Sequence, residues 1–209
     1  MAHLQAEKPV RKQRSDGARS RNAILREAAQ LATVEGIEGL SISRLADAVG
    51  MSKSGLFAHF GSKQELQLAT VDTAADLFDE LVIHPAASAP NGLERLQQYG
   101  ERYLDHVEEK VYPGGCFFAS VASELDTQSG PVRDRALECV EGWLGQLEVA
   151  IVEAQSDGAI DASIDPPQLT FELDSYLFFA NLRFVSTDDP EQIKRGRMAF
   201  RARLAAAGA

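Results

Sequence analysis

Between Ser41 and Phe60 the chain carries two short apolar-periodic segments joined by the tight turn Val49-Gly50-Met51-Ser52. Each segment follows a serine placed to cap it: Ser41 before Ile42 to Val49, and Ser52 before Lys53 to Phe60. The arrangement predicts a helix-turn-helix. On the second segment Leu56 and Phe60 stand four apart and share an inward face. Ser54, Gly55, Ala58 and His59 form a small, polar outward face that lets the helix backbone approach a major groove, with Lys53 at its start in reach of a phosphate or a guanine edge. Two helices and a glycine turn in an ordinary core would carry bulky apolar residues on both faces, and here they do not.

The rest of the chain also reads as helices. Residues 1–17 are polar, are broken by Pro9 and Gly17, and read as a flexible basic arm. From Ala18 the spacing of Ile24, Ala28, Leu31 and Ala32 predicts a first helix ending at Gly36. Gly61 closes the third helix, and Ser62-Lys63-Gln64-Glu65 predicts a reciprocal capping box for a fourth that runs to about Val82. The stretch from His84-Pro85 to Gly92 reads as a loop that ends it. Helices are expected over 93–111, 116–126, 131–156, 166–185 and 190–206, with Asp165 and Asp189 as caps before prolines. With no convincing strand pattern, the expected fold is all-α: arm 1–17, reader 18–66, helical regulatory domain 67–209.

Charge separates those parts. The net charge is −10, yet residues 1–66 hold ten Lys and Arg against seven Asp and Glu, while the remainder holds 11 against 24. Lys8, Arg11, Lys12, Arg14, Arg19, Arg21 and Arg26 are offset within that run only by Asp16, which suits a phosphate backbone; a solvated tail would look the same. With 209 residues, 44% hydrophobic and 25% charged, wholesale disorder is excluded. No apolar run approaches the roughly twenty residues needed to cross a bilayer, so a cytoplasmic protein without membrane contact is expected. Cys116 and Cys139 read as free thiols, and no metal site is expected. His3, His59, His84 and His106 are dispersed, and neither a phosphate loop nor a nucleophile elbow occurs, so neither catalysis nor a cofactor is expected.

The continuous stretch from Gly39 through Leu66, with its Ala, Gly, Ser, Gly-Leu-Phe, His-Phe and Ser-Lys elements in that order, resembles the DNA-binding domain of the TetR family of bacterial transcriptional repressors. The resemblance implies that Ser41, Ser43 and Arg44 touch phosphates at the second helix. It places Ser52, Lys53, Ser54, Gly55, Phe57, Ala58 and His59 on the recognition helix, with Lys63 as a further phosphate contact. Phe57 stands where the family usually has tyrosine, so it packs without donating the phenolic hydrogen bond. His59 either donates to phosphate or packs at the helix terminus, the contact being favoured.

The resemblance further implies a homodimer on a pseudo-palindromic operator in double-stranded DNA, released by a small-molecule effector not yet identified. Two stripes could form the dimer seam: Leu137, Val140, Leu144, Leu147, Ile151 and Ala154, then Leu169, Leu173, Tyr176, Leu177, Ala180 and Phe184. Both are equally compatible with an intramolecular core. Candidate effector contacts are Tyr99, Tyr103, Phe117, Phe118, Trp143, Phe171, Phe178 and Phe179, each of which could instead be core. The acidic balance disfavours an anionic effector. Cys116 follows Gly114-Gly115 at a predicted helix start, where the N-terminus would favour its thiolate and make it a candidate sensor of electrophiles or oxidants; a small buried residue is the plainer reading. A transcriptional activator or an effector-free architectural DNA binder are the alternative functions.

Overall fold

A computed structural model describes residues 10–208, with side chains from residue 19 onward. Among the described residues every regular element is helical: α1 (Val10–Glu35), α2 (Ile42–Ala48), α3 (Lys53–Phe60), α4 (Lys63–Phe78), α5 (His84–Ala86), α6 (Gly92–Glu108), α7 (Phe117–Glu124), α8 (Pro131–Ser156), α9 (Pro166–Thr187) and α10 (Glu191–Ala206). None is long and apolar enough to cross a membrane, and among the described residues no group of three or more His, Cys, Asp or Glu side chains is placed to hold a metal ion.

Serine hydroxyls set the short helices. Ser41, Ser52 and Ser62 accept from the backbone N–H of Arg44, Gly55 and Glu65, each at 3.1 Å. Each cap satisfies one of the donors that a helix start leaves open, a contribution of about 1 kcal/mol. In the turn between α2 and α3, Gly50 has φ +66°, a conformation that favours glycine. Asp165 caps α9 through Gln168 N–H at 3.2 Å.

Two cores result. Ile24, Leu25, Ala28, Leu31, Leu40, Leu45, Ala46, Leu56, Phe60 and Leu66 close the N-terminal one. The larger core joins one face of α4 to α6, α7, α8, α9 and α10. α1 serves both, since Ala29, Ala32 and the following Ile37 turn toward the larger core. At the far side Arg197 on α10 pairs with Glu101, Asp105 and Glu108 on α6.

Several boundaries differ from expectation. α1 begins at Val10 rather than Ala18, so only residues 1–9 of the expected arm remain, and these lie outside the described residues. His84-Pro85 does not end the fourth helix. Instead α4 passes into a π-helical turn, Asp79–Ile83, and continues as α5 to Ala86. In a regular helix the Pro85 ring would meet the carbonyl of Leu81, and widening that turn relieves the clash without stopping the chain. The capping box at Ser62 is half formed, because Ser62 N–H bonds to the Phe60 carbonyl at 2.8 Å. Pro190 is the flanking residue of α10, and Asp189 one step earlier accepts from Glu191 N–H at 3.0 Å.

Much of the two expected seam stripes is taken up by the subunit's own core. Leu147, Ile151, Ala154, Leu169, Leu173, Leu177, Ala180 and Phe184 are buried within one subunit. Leu137, Val140 and Leu144 are half-buried, and Tyr176 stands at the margin. The apolar residues that α8 and α9 leave exposed are others: Val149, Val152, Phe171, Phe178, Phe179, Leu182 and Val185. A heptad-like spacing finds a helix's strongest apolar stripe, and a bundle uses that stripe for its own core first.

Candidate nucleic-acid interface and effector cavity

On α3, Leu56 and Phe60 are buried while Lys53, Ser54, Phe57 and Ala58 face solvent, Phe57 with 49% of its surface exposed. Gly55 and His59 are half-buried at the edges of that face. Exposing a phenylalanine costs solvation free energy that burial would have recovered, so this one is available for contact with another molecule. The hydroxyls of Ser41 and Ser52 are engaged as caps, and Ser52 and Ser54 lie within 3.3 Å of one another.

The cations around this face are not equivalent. Arg44 is held by Glu35, its Nε at 3.0 Å and Nη2 at 2.9 Å from the same carboxylate oxygen. Lys63 donates to the Glu38 carbonyl at 2.6 Å and lies 3.7 Å from the Glu38 carboxylate. Lys53 has no ion-pair partner among the described residues. Arg21 of α1 stacks over the Phe60 ring at 5.2 Å and fixes the underside of α3.

A second feature lies in the larger core. Phe78, Tyr103, Cys116, Phe118, Ala119, Ala122, Cys139, Val140, Trp143, Asp174 and Phe178 line a partly open cavity of about 90 Å³. Trp143 stacks on Tyr103 and meets Phe78 and Tyr99 edge-on, with its Nε1 donating to Asp174 at 2.8 Å. Of the expected effector contacts, Tyr103, Cys116, Phe118, Trp143 and Phe178 line this space. Tyr99 and Phe117 are packed core instead. Phe171 and Phe179 point away to solvent, because they stand on the opposite side of α9 from Leu173 and Leu177. Sequence reasoning missed Phe78, Ala119, Ala122, Cys139 and Asp174, and gave Val140 to the seam. Asp174 had a signal, a carboxylate set between Leu173 and Leu177 in a mostly apolar helix.

Cys116 does not behave as its position suggested. It flanks the start of α7 and is buried, and burial pushes its thiol up, outweighing the hydrogen bonds from Ala119 and Phe118 backbone. Desolvation of a thiolate is larger here than the attraction of a short helix's end. The half-buried Cys139 thiol is pushed up for the same reason. His106, behind Phe78 at a ring distance of 5.9 Å, is buried with both ring nitrogens unpartnered, which lowers its pKa to about 4.

Cavity and reader share supports. α7 lines the cavity with Phe118, Ala119 and Ala122, and at its end the Glu124 carboxylate accepts the N–H groups of Ile37 (2.7 Å) and Glu38 (2.9 Å). α4 contributes Phe78 to the cavity, while its Gln67 donates to the Ile37 carbonyl at 2.8 Å. The loop before α7 is clamped as well. Gly114 N–H donates to Thr33 Oγ1 at 3.1 Å, and a Cβ at Gly114 would fall 1.9 Å from the Thr33 carbonyl oxygen. Asn181 on α9 accepts from Cys116 N–H at 2.8 Å.

Comparison with known proteins accords with this arrangement. Residues 24–70 match the family described as bacterial regulatory proteins, tetR family. Residues 92–200 match the tetracyclin repressor-like C-terminal domain. The transcriptional regulator TcmR of Streptomyces glaucescens is 32% identical over 136 residues, which is 65% of this chain and 48% of that protein; the match spans about half the relative's length. A TetR transcriptional regulator from Chloroflexus aurantiacus superimposes with a TM-score of 0.85 at 21% identity, covering 93% of this chain and 98% of the other. AibR, solved with isovaleryl coenzyme A and operator DNA, gives 0.69 at 26% identity over 86% of this chain and 96% of its own. TcmR and the Chloroflexus aurantiacus protein are both transcriptional regulators.

Proposed function

Since the chain belongs to the tetR family of bacterial regulatory proteins, we propose that it is a dimeric repressor that binds a palindromic operator and leaves it when a small molecule occupies the aromatic cavity. The observation that carries this reading is the outward face of α3. A helix with Leu56 and Phe60 buried beneath it and Lys53, Ser54, Phe57 and Ala58 above has the width and polarity to enter a major groove. Lys53 and, flanking it, Arg44 and Lys63 supply the phosphate-facing charge; Ser41, Ser43 and Ser52 stand beside them, and Gly55 and His59 complete the face.

The dimer seam is assigned to the surface that α8 and α9 leave apolar. Phe171 and Phe179 are 68% and 60% exposed there. Gly142 and Gly145, one helical turn apart on the same side of α8, have open space where a Cβ would be. Nothing within the subunit requires those glycines, and a second helix backbone approaching closely would. Release follows from the shared supports: a ligand displacing Phe78 or Phe118 strains α4 and α7, and both hold Ile37 in the turn that sets α2 and α3.

The test is selection of bound duplexes from a random pool. The proposal expects an enriched inverted repeat with half-sites about one helical turn apart or a multiple of it. Enrichment of no repeat, or equal affinity for scrambled competitor, overturns it.

A further inference from the structure

The cavity has a one-sided chemistry. Its walls are five aromatic side chains, its only carboxylate is Asp174, and no Lys, Arg or His takes part in the lining. Asp174 accepts one hydrogen bond, from Trp143 Nε1, and has no cationic partner among the described residues. The groove that shares Asp174 and Phe178 continues outward past Glu141 and Glu148, again without a base. That groove lies on the surface assigned to the second copy, whose approach would further exclude water from Asp174.

Each class of ligand can be judged against these groups. An anion would meet a carboxylate with two further acids behind it and no countercharge, which disfavours it strongly at low local dielectric. A neutral apolar molecule would fill the space but leave Asp174 without a counter-ion. A cation would pair with the carboxylate and draw on the electron-rich faces of the surrounding rings, an arrangement used for ammonium recognition. Burial pushes the Asp174 carboxyl pKa upward, and an arriving positive charge opposes that push by stabilising the ionised form. The volume of about 90 Å³ admits a head group of only a handful of heavy atoms, and the rest of a ligand extends into the groove that shares Asp174 and Phe178.

We infer that the cavity takes a small organic ammonium cation, seated among Phe78, Tyr103, Phe118, Trp143 and Phe178 with its charge against Asp174. The inference rests on the proposed regulator for its biological meaning, but cavity binding is measurable with no DNA present. Acyl thioesters with phosphate groups, such as the ligand in the AibR structure, find no basic residue to hold them here.

Trp143 is the only tryptophan in the chain and lines the cavity, so its fluorescence reports occupancy directly. The full chain is titrated with choline, with its uncharged carbon isostere neohexanol, and with the carboxylate tert-butylacetate. The expected result is saturable binding of choline about tenfold tighter than neohexanol, and no saturable response to tert-butylacetate. Asp174→Asn keeps an acceptor for Trp143 Nε1 and removes the charge. It is expected to retain the parent's melting curve and to bring choline and neohexanol to nearly equal affinity. Equal binding of the two by the parent, a preference that survives Asp174→Asn, tighter binding of the carboxylate, or no response to choline at millimolar concentration overturns the inference. If Asp174→Asn unfolds, the parent's choline-to-neohexanol ratio decides alone. A chain that selects no operator yet prefers choline would refute the regulator reading and leave this one standing; the reverse outcome would do the opposite.

Discussion

At the scale of single residues, charge and its pairing decide which side chains matter. Arg44 and Lys63 are already partly neutralised by Glu35 and Glu38, whereas Lys53 at the start of α3 keeps its full charge for a partner outside the subunit. Lys53→Ala is therefore expected to weaken operator binding more than Lys63→Ala. It should reduce the slope of log affinity against log salt by about 0.9 for each phosphate that the lysine would otherwise neutralise, with thermal stability unchanged. Fluorescence anisotropy across a salt series measures this, and an unaltered slope together with unaltered affinity would displace Lys53 from the interface. His106 makes a separate prediction about stability. Its folded pKa is about 4 against 6.5 for a free histidine. Above pH 6.5 the ring is neutral in both states and adds no pH dependence. As pH falls from there toward 4 the unfolded ring binds a proton that the folded one refuses, so stability drops by roughly 3 kcal/mol over that window. Urea unfolding at stepped pH should show that fall in the parent, and His106→Leu should flatten it. The sequence offered no sign of this residue's role, because a histidine on α6 is ordinary until the rings of Phe78 and Tyr112 close around it.

At the scale of elements, the N-terminal unit was readable because its short helices are set by local rules. Serine caps, turn glycines and a four-residue apolar step are properties of adjacent residues, and they placed α2 and α3 to within a residue of Ala48 and Phe60. The continuation of α4 through Pro85 was not readable, since proline normally argues for a stop and only the tertiary packing of Val82 and Ala86 makes a widened turn worthwhile. That much of the seam stripes would be buried within the subunit, and which aromatic residues would line the cavity, was hidden for a similar reason. Periodicity shows that a helix has an apolar face, but which neighbour covers that face is settled by the whole bundle. The element that best joins the two halves is α7, and Glu124 tests it. Replacing Glu124 by Ala removes two charge-assisted hydrogen bonds from the Ile37 and Glu38 N–H groups. The expected cost is about 2–3 kcal/mol in folding stability. The more telling effect is functional: a ligand that binds the cavity should retain its affinity in the variant, while its power to lower operator affinity should fall. Paired titrations with and without DNA separate the two, and full coupling in Glu124→Ala would remove α7 as the link.

At the scale of the whole molecule, the acidic C-terminal part and the mildly basic reader are suited to two different kinds of contact, and the proposed second subunit reconciles them. One α3 face covers only a few base pairs, too few for useful selectivity, so in the proposed regulator specificity comes from two such faces held at a fixed separation. The exposed apolar residues of α8 and α9 are suited to provide that separation, and they are also the residues whose exposure the isolated subunit does not explain. Phe179→Glu tests the assignment with little risk to the fold, because 60% of this side chain is already in solvent. In a self-complementary interface the substitution acts twice and places two like charges close together in a dry setting. The variant should sediment as a monomer at micromolar concentration with unchanged helical content. Its operator affinity should fall at least a hundredfold, since each half-site then binds without the other's help. Gly145→Leu should do the same through bulk, as the subunit leaves its Cβ position open. If both variants sediment as the parent does and bind DNA with its affinity, the two copies meet through some other surface, and the spacing of the two recognition helices has to be derived again from that contact.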